Sequence, residues 1–175
     1  YFLGGMAVTL WLSLKQQSIE LALMALIIAY LAPFTLTVRN ATAIELVAYY
    51  LVINIAVAVL STFRPWKVLN QIAFIMTVVV GGAYAFYQGE ASERDMLAVL
   101  VLAHSAVFIW LSFRYSQLLA REDLTQFKLK PILDVALIFA APIVAFAFLY
   151  VMYFEETIWQ AGFSLGFAAL YAMLY

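Results

Sequence analysis

Apolar residues fall into seven long runs along this chain, separated by short polar clusters. The runs are Tyr1–Leu14, Glu20–Leu36, Thr42–Phe63, Trp66–Tyr87, Glu93–Phe113, Pro131–Tyr153 and Ile158–Tyr175. Polar and apolar positions do not alternate within them, as the strands of a membrane barrel would require. Backbone groups in lipid must be satisfied inside the segment, so each run predicts a helix. Pro131–Tyr153 is the longest nearly unbroken run, and only Asp134 interrupts it with a charge. The roughly 20 residues after Asp134 are enough to cross a hydrocarbon core of about 30 Å. Pro142 lies near its middle, where a packed membrane helix tolerates the lost hydrogen bond. The pattern predicts an all-α, polytopic transmembrane bundle of about seven spans.

Local signals agree with this division. Thr42-Ala-Ile-Glu45 has the form of a capping box for the third helix, and Thr157-Ile-Trp-Gln160 of another for the seventh. Ser92-Glu-Arg-Asp95 is a weaker version for the fifth. Pro131 suits a first helical turn, where its missing N–H costs nothing. The short Arg64-Pro65-Trp66 turn makes the third and fourth helices antiparallel neighbours.

Composition strengthens the membrane reading. Hydrophobic residues make up 67% of the 175 and charged residues 11%, well outside the range of soluble domains. The net charge of −1 offers no basic surface for nucleic acid. With no cysteine, disulfides, thiolate metal sites and cysteine nucleophiles are excluded together. Both Tyr1 and Tyr175 lie inside apolar runs, and the first and last spans read as truncated. The expectation is a single transmembrane helical domain over residues 1–175, part of a longer membrane protein.

Charge sets the predicted orientation. Lys15, Arg64, Lys67, Arg114, Arg121, Lys128 and Lys130 fall on one set of connections, and only Arg39 and Arg94 on the other. By the positive-inside rule the Arg114–Lys130 connection is cytoplasmic and the Gln88–Ser92 loop external. Trp11, Trp66, Trp110 and Trp159 stand near segment ends, as an interfacial belt requires. Two readings of Arg114–Lys130 stay open, an interfacial amphipathic helix and a solvated connector.

Several stretches carry a family resemblance. They are Leu31-Ala32-Pro33-Phe34, the YLVIN of Tyr50–Asn54, and Arg64-Pro65-Trp66-Lys67-Val68-Leu69-Asn70, followed by Leu133-Asp134 and Ala141-Pro142-Ile143-Val144-Ala145-Phe146. In that order they resemble a family of large, predicted bacterial inner-membrane proteins classed only as a domain of unknown function. Members often have glycines before the two prolines, where this chain has Tyr30-Leu31-Ala32 and Ala140-Ala141. The resemblance implies many more helices than seven and a bacterial inner-membrane location, and it supplies no catalytic residues. The two proline stretches also suggest a parallel internal repeat of the kind transporters use.

Three residues are candidates for an intramembrane polar site. His104 lies near the centre of the fifth segment, and an ionisable group at that depth is a functional hypothesis by default. Its structural alternative is a neutral imidazole hydrogen-bonded between helices. Asn54 is at mid-depth in the third segment and reads as an interhelical partner, as do Asn70 and Gln71. Asp134 sits one turn into the sixth helix, where the helix N-terminus and Lys130 favour its carboxylate. Packing faces are marked by Gly162 and Gly166, a GxxxG in the seventh segment, and by Ala141 and Ala145 beside Pro142. The GxxxG is expected to pack within the bundle.

No Walker loop, HExxH, GxSxG or metal-spaced cluster of His and acidic residues occurs. No catalytic residue, cofactor or metal site is therefore expected. The leading expectation is a non-catalytic membrane domain, a scaffold or accessory in a cell-envelope process. Its partners would be the lipid bilayer and further helices of the same chain or of a membrane partner. The alternative is part of a transporter or permease, with a polar path near His104, Asn54 and Pro142 and an unknown substrate.

Overall fold

The computed structural model describes the backbone of residues 2–16, 18–35, 41–63, 66–119 and 129–174. Side chains are described for 4–13, 15–16, 18–35, 41–63, 66–114 and 139–173. Seven helices account for nearly all of this. They are α1 Phe2–Gln16, α2 Ile19–Thr35, α3 Ala43–Phe63, α4 Lys67–Gln88, α5 Arg94–Leu119, α6 Leu129–Met152 and α7 Thr157–Leu174. No strand occurs among the described residues. Among them, α3, α4 and the segment Ala91–Arg114 around α5 are long and apolar enough to cross a membrane. Shorter apolar stretches are Gly4–Ser13, Ile19–Thr35 and Phe139–Met152. At 1.5 Å per residue, the 21 residues of α3 reach about 31 Å, the thickness of a hydrocarbon core.

The chain forms two compact units, Tyr1–Glu93 and Arg94–Tyr175. In the first, α1 packs on α2, α2 on α3 and α4, and α3 on α4. Met6, Leu10 and Ser13 recur at helical spacing and bury the inner face of α1. Ser18 starts α2 by accepting the Leu21 N–H at 3.3 Å on its hydroxyl oxygen. The predicted box at the start of α3 is present in full. Thr42 N–H donates to Glu45 Oε2 at 3.0 Å, and Glu45 N–H donates to Thr42 Oγ1 at 3.2 Å. Outward-facing Met24, Ile28, Val52, Val59, Ile75 and Val79 are apolar, as lipid contact demands.

In the second unit, α6 packs along both α5 and α7. The buried stripe of α5 includes Ala98, Ser105 and Ser112, small residues that let a neighbouring backbone approach. Ala141, Pro142, Ala145 and Leu149 form the buried stripe of α6. Ala98 meets Leu149 and Tyr153, with Val101, Met152, Phe163 and Phe167 closing the cluster. Polar side chains tie one end of the unit. Arg94 Nη1 lies 2.6 Å from Glu156 Oε1, and its guanidinium stands 4.4 Å over the Tyr153 ring. The Tyr153 hydroxyl in turn donates to Asp95 Oδ1 at 2.7 Å.

Several expectations change here. The box predicted at Thr157 does not form, because the helix begins one residue earlier in its hydrogen bonding. The Glu156 carbonyl already accepts the Gln160 N–H at 3.1 Å, so Thr157 is inside the first turn. The Gln160 side chain instead donates to the carbonyls of Tyr153 and Phe154, at 3.1 and 2.8 Å, closing the end of α6. At Ser92 the hydroxyl donates to Glu90 Oε2 at 3.3 Å, and Asp95 is used by Tyr153. Helix α5 also runs past Phe113 to Leu119, taking up the first third of the expected 114–130 connection. The remainder of that connection lies outside the described residues, apart from the start of α6. Leu129 begins α6, which leaves Pro131 in the first turn.

Candidate intramembrane polar sites

Pro33 organises the first site. It has no amide proton, so the carbonyl of Ala29, four residues back, loses its helical donor. Tyr49 of α3 supplies one instead, its hydroxyl donating to Ala29 O at 2.9 Å. Tyr50, the next residue, donates to Tyr30 O at 2.9 Å. Two adjacent tyrosines thus donate to two adjacent carbonyls in the turn before Pro33. The Tyr50 ring also meets the Tyr30 ring edge-on, with centroids 4.7 Å apart.

From there the polar contacts run inward to Asn54. The Tyr30 hydroxyl donates to Asn54 Oδ1, and Asn54 Nδ2 donates to Thr77 Oγ1 at 2.8 Å. Thr77 donates its own proton to the Ala73 carbonyl at 2.8 Å, and Tyr30 Oη lies 3.3 Å from the same oxygen. The cluster joins α2, α3 and α4, and Tyr30 and Asn54 are fully buried. Each hydrogen bond between membrane helices is worth about 0.6 kcal/mol on average, up to ~1.7.

Helix α4 is wound more widely in this region. Residues Met76–Gly81 form a π turn, in which the Gly82 N–H reaches back to Thr77 O. Thr77 lies inside this segment, and its hydroxyl serves the Ala73 carbonyl just before it. Gly81 is where α4 meets Tyr50. A Cβ there would stand 3.0 Å from Tyr50 Cδ2 and 3.3 Å from Cε2, so only glycine fits without displacing the ring. A second interhelical pair, Ser61 Oγ donating to Asn70 Oδ1 at 3.0 Å, leaves Asn70 Nδ2 buried with no partner among the described residues.

His104 belongs to the second unit and is 6% exposed. Its Nδ1 lies 2.8 Å from the Leu100 carbonyl of the same helix. A carbonyl can only accept, so Nδ1 carries a proton, and in the neutral ring Nε2 presents a lone pair. No donor meets Nε2 among the described residues, and the neighbouring Ser105 Oγ is likewise unfilled. The expected bond to a neighbouring helix is therefore not the one observed.

Pro142 is fully buried on α6, between Ala141 and Ala145 in the same stripe. Three residues before it, the Phe139 carbonyl accepts the Tyr171 hydroxyl of α7 at 3.1 Å. Tyr30 bears the same relation to Pro33, so a tyrosine of the following helix serves the freed turn in both units. Asp134 lies within α6, but its side chain lies outside the described residues. Gly162 and Gly166 have nothing within 4 Å of where a Cβ would stand. Their face of α7 is open rather than packed within the unit. Among the described residues, no group of three His, Cys, Asp or Glu side chains is placed to hold a metal ion.

Residues 5–175 match the family model described as Predicted membrane protein (DUF2339). The chain belongs to this family. No curated protein and no solved structure matches it significantly. The DUF2339 assignment covers both units and agrees with the apolar helices in making this an integral membrane protein.

Within this DUF2339 chain, sequence reasoning reached Asn54 and His104 but missed Tyr30, Tyr49, Tyr50 and Thr77. The signal for the tyrosines was available. Pro33 inside an apolar run announces a freed carbonyl, and the Tyr49-Tyr50 pair is the nearest source of hydroxyl donors on the following helix. Nothing in the local sequence announces the π turn.

Proposed function

We propose that this DUF2339 segment is a non-catalytic membrane domain, a scaffold or accessory in a cell-envelope process. On this reading it resides in the bacterial inner membrane with the 114–130 connection in the cytoplasm, and its partners are lipid and other membrane helices. The observation that carries the proposal is the closure of the Tyr30–Asn54–Thr77 cluster. Its polar groups are spent on one another and on the Ala73 carbonyl, which is how polar residues act when they fasten helices. A transport site would instead present unfilled groups toward a path.

The second reading, part of a transporter, draws its support from one place. His104 Nε2 at mid-span of α5 is an unfilled acceptor, with Pro142 on the helix packed beside it. Vesicle reconstitution of the whole protein separates the two. The scaffold reading expects proton and solute permeability equal to that of protein-free vesicles. A flux that disappears in His104→Gln would replace it with the transporter reading.

A further inference from the structure

We infer that the π turn of α4 is a catch, held by α3 and released to ordinary α winding when Asn54 lets go of Thr77. Ala73, Thr77 and Gly81 recur at every fourth residue and all meet neighbouring helices. Ala73 is fully buried, Thr77 accepts from Asn54, and Gly81 lies against the Tyr50 ring. Ile75, Val79 and Ala83 have the same spacing and are all exposed. With 3.6 residues per turn, positions four apart drift steadily around an α-helix. A wider turn offsets that drift, so the π winding keeps both sets on their own faces. Thr77–Gly82 is made of β-branched residues and glycine, which are poor α-formers. Contacts rather than local preference therefore decide how this segment is wound.

The grip has two points, one turn apart on α3. Tyr50 presses on Gly81, the last residue of the π turn, and Asn54 Nδ2 holds Thr77 Oγ1 at 2.8 Å near its start. The other side of the Asn54 amide accepts the Tyr30 hydroxyl of α2. A displacement of α2 at Tyr30 is thereby passed through Asn54 to Thr77, and on to Gly82–Gln88. In the released state those residues exchange π for α hydrogen bonds, and the Tyr84 hydroxyl leaves the Ala41 carbonyl that it now reaches. An interhelical hydrogen bond of this kind changes the ratio of two states by about 3- to 20-fold. The catch needs no solute path, so it stands apart from the choice between scaffold and transporter.

The test is a distance measurement between two spin labels on the whole protein in bilayers. Cysteines replace Val52 of α3 and Tyr87 of α4, both exposed. The parent protein should give one dominant distance. Asn54→Ala should add a second, differing by roughly 5 Å, the scale of a helix radius, with its share raised at least threefold. Thr77→Val breaks the same bond from the other helix and should give the same second distance, while Thr77→Ser keeps the hydroxyl and should restore the parent distribution. Ser61→Ala removes a different bond between α3 and α4, the one to Asn70, and should change nothing. A folded Asn54→Ala or Thr77→Val protein with the parent distance alone would overturn the inference. So would equal broadening in Ser61→Ala, which would mean general loosening in place of a catch.

Discussion

The Tyr49 hydroxyl donates to the carbonyl of Ala29, the one acceptor that Pro33 leaves without an amide. A lost hydrogen bond and its replacement are therefore carried on different helices, and α2 and α3 are coupled through the backbone as well as through apolar packing.

That coupling can be measured by a double-mutant cycle. Tyr49→Phe should destabilise the protein by about 1–2 kcal/mol, because it removes a bond and leaves a carbonyl unfilled in hydrocarbon. In a Pro33→Ala background the helix regains its own N–H donor, and the same change should cost less than about half as much. Unfolding equilibria of the four proteins in one detergent or bilayer give the coupling directly. Equal costs in both backgrounds would mean that Tyr49 acts by packing alone.

Asn54 should behave as a fastener. Asn54→Ala is expected to lose about 1–3 kcal/mol, since Tyr30 and Thr77 are then left with unfilled groups. Once Asn54 is gone, Thr77→Val should add little, because its principal interhelical partner is already missing. Thermal unfolding of the single and double variants provides the readout, and strict additivity would contradict the network.

Gly81→Ala should be costly although alanine favours helix. The added methyl would stand 3.0 Å from the Tyr50 ring, which its own hydrogen bond to Tyr30 O holds in place. A loss of about 1–3 kcal/mol is expected, as for other overpacked sites. Gly82→Ala serves as the control on the neighbouring position, half-buried rather than buried. Similar losses at both would point to backbone flexibility in place of the Tyr50 contact.

The orientation is open to a chemical test. Cysteine substitutions at Ser92 and Ser116 in an otherwise cysteine-free protein should react differently with a membrane-impermeant thiol reagent on intact cells. Ser92→Cys is expected to label and Ser116→Cys to label only after lysis. The reverse pattern would invert the topology.

The helices were readable in the sequence because hydrocarbon imposes a length and a composition that few other settings share. The third, fourth and sixth runs matched their helices to within two residues. The fifth did not, since its polarity at Arg114 marks where lipid ends and not where helical hydrogen bonding ends. Asn54 was legible as an interhelical group, but its partners Tyr30 and Thr77 lie more than twenty residues away on either side, and only packing brings them together. At Gln160 the residue was right and the role was wrong, because the carbonyls of Tyr153 and Phe154 compete for the same amide.

The π turn in α4 works as an angular setting. A wider turn holds one more residue than an α-turn, and each residue of an α-helix advances the direction of the next by about 100°. The rest of α4 after Gly81 is thereby rotated relative to Lys67–Ile75, and this rotation aims Tyr84 at the Ala41 carbonyl, which it reaches at 2.5 Å. Removing one residue between Met76 and Gly81 would leave α4 a good helix and turn Tyr84 away from the Ala41 carbonyl, so the segment is far more sensitive to a change in its length than to a change in its hydrophobicity.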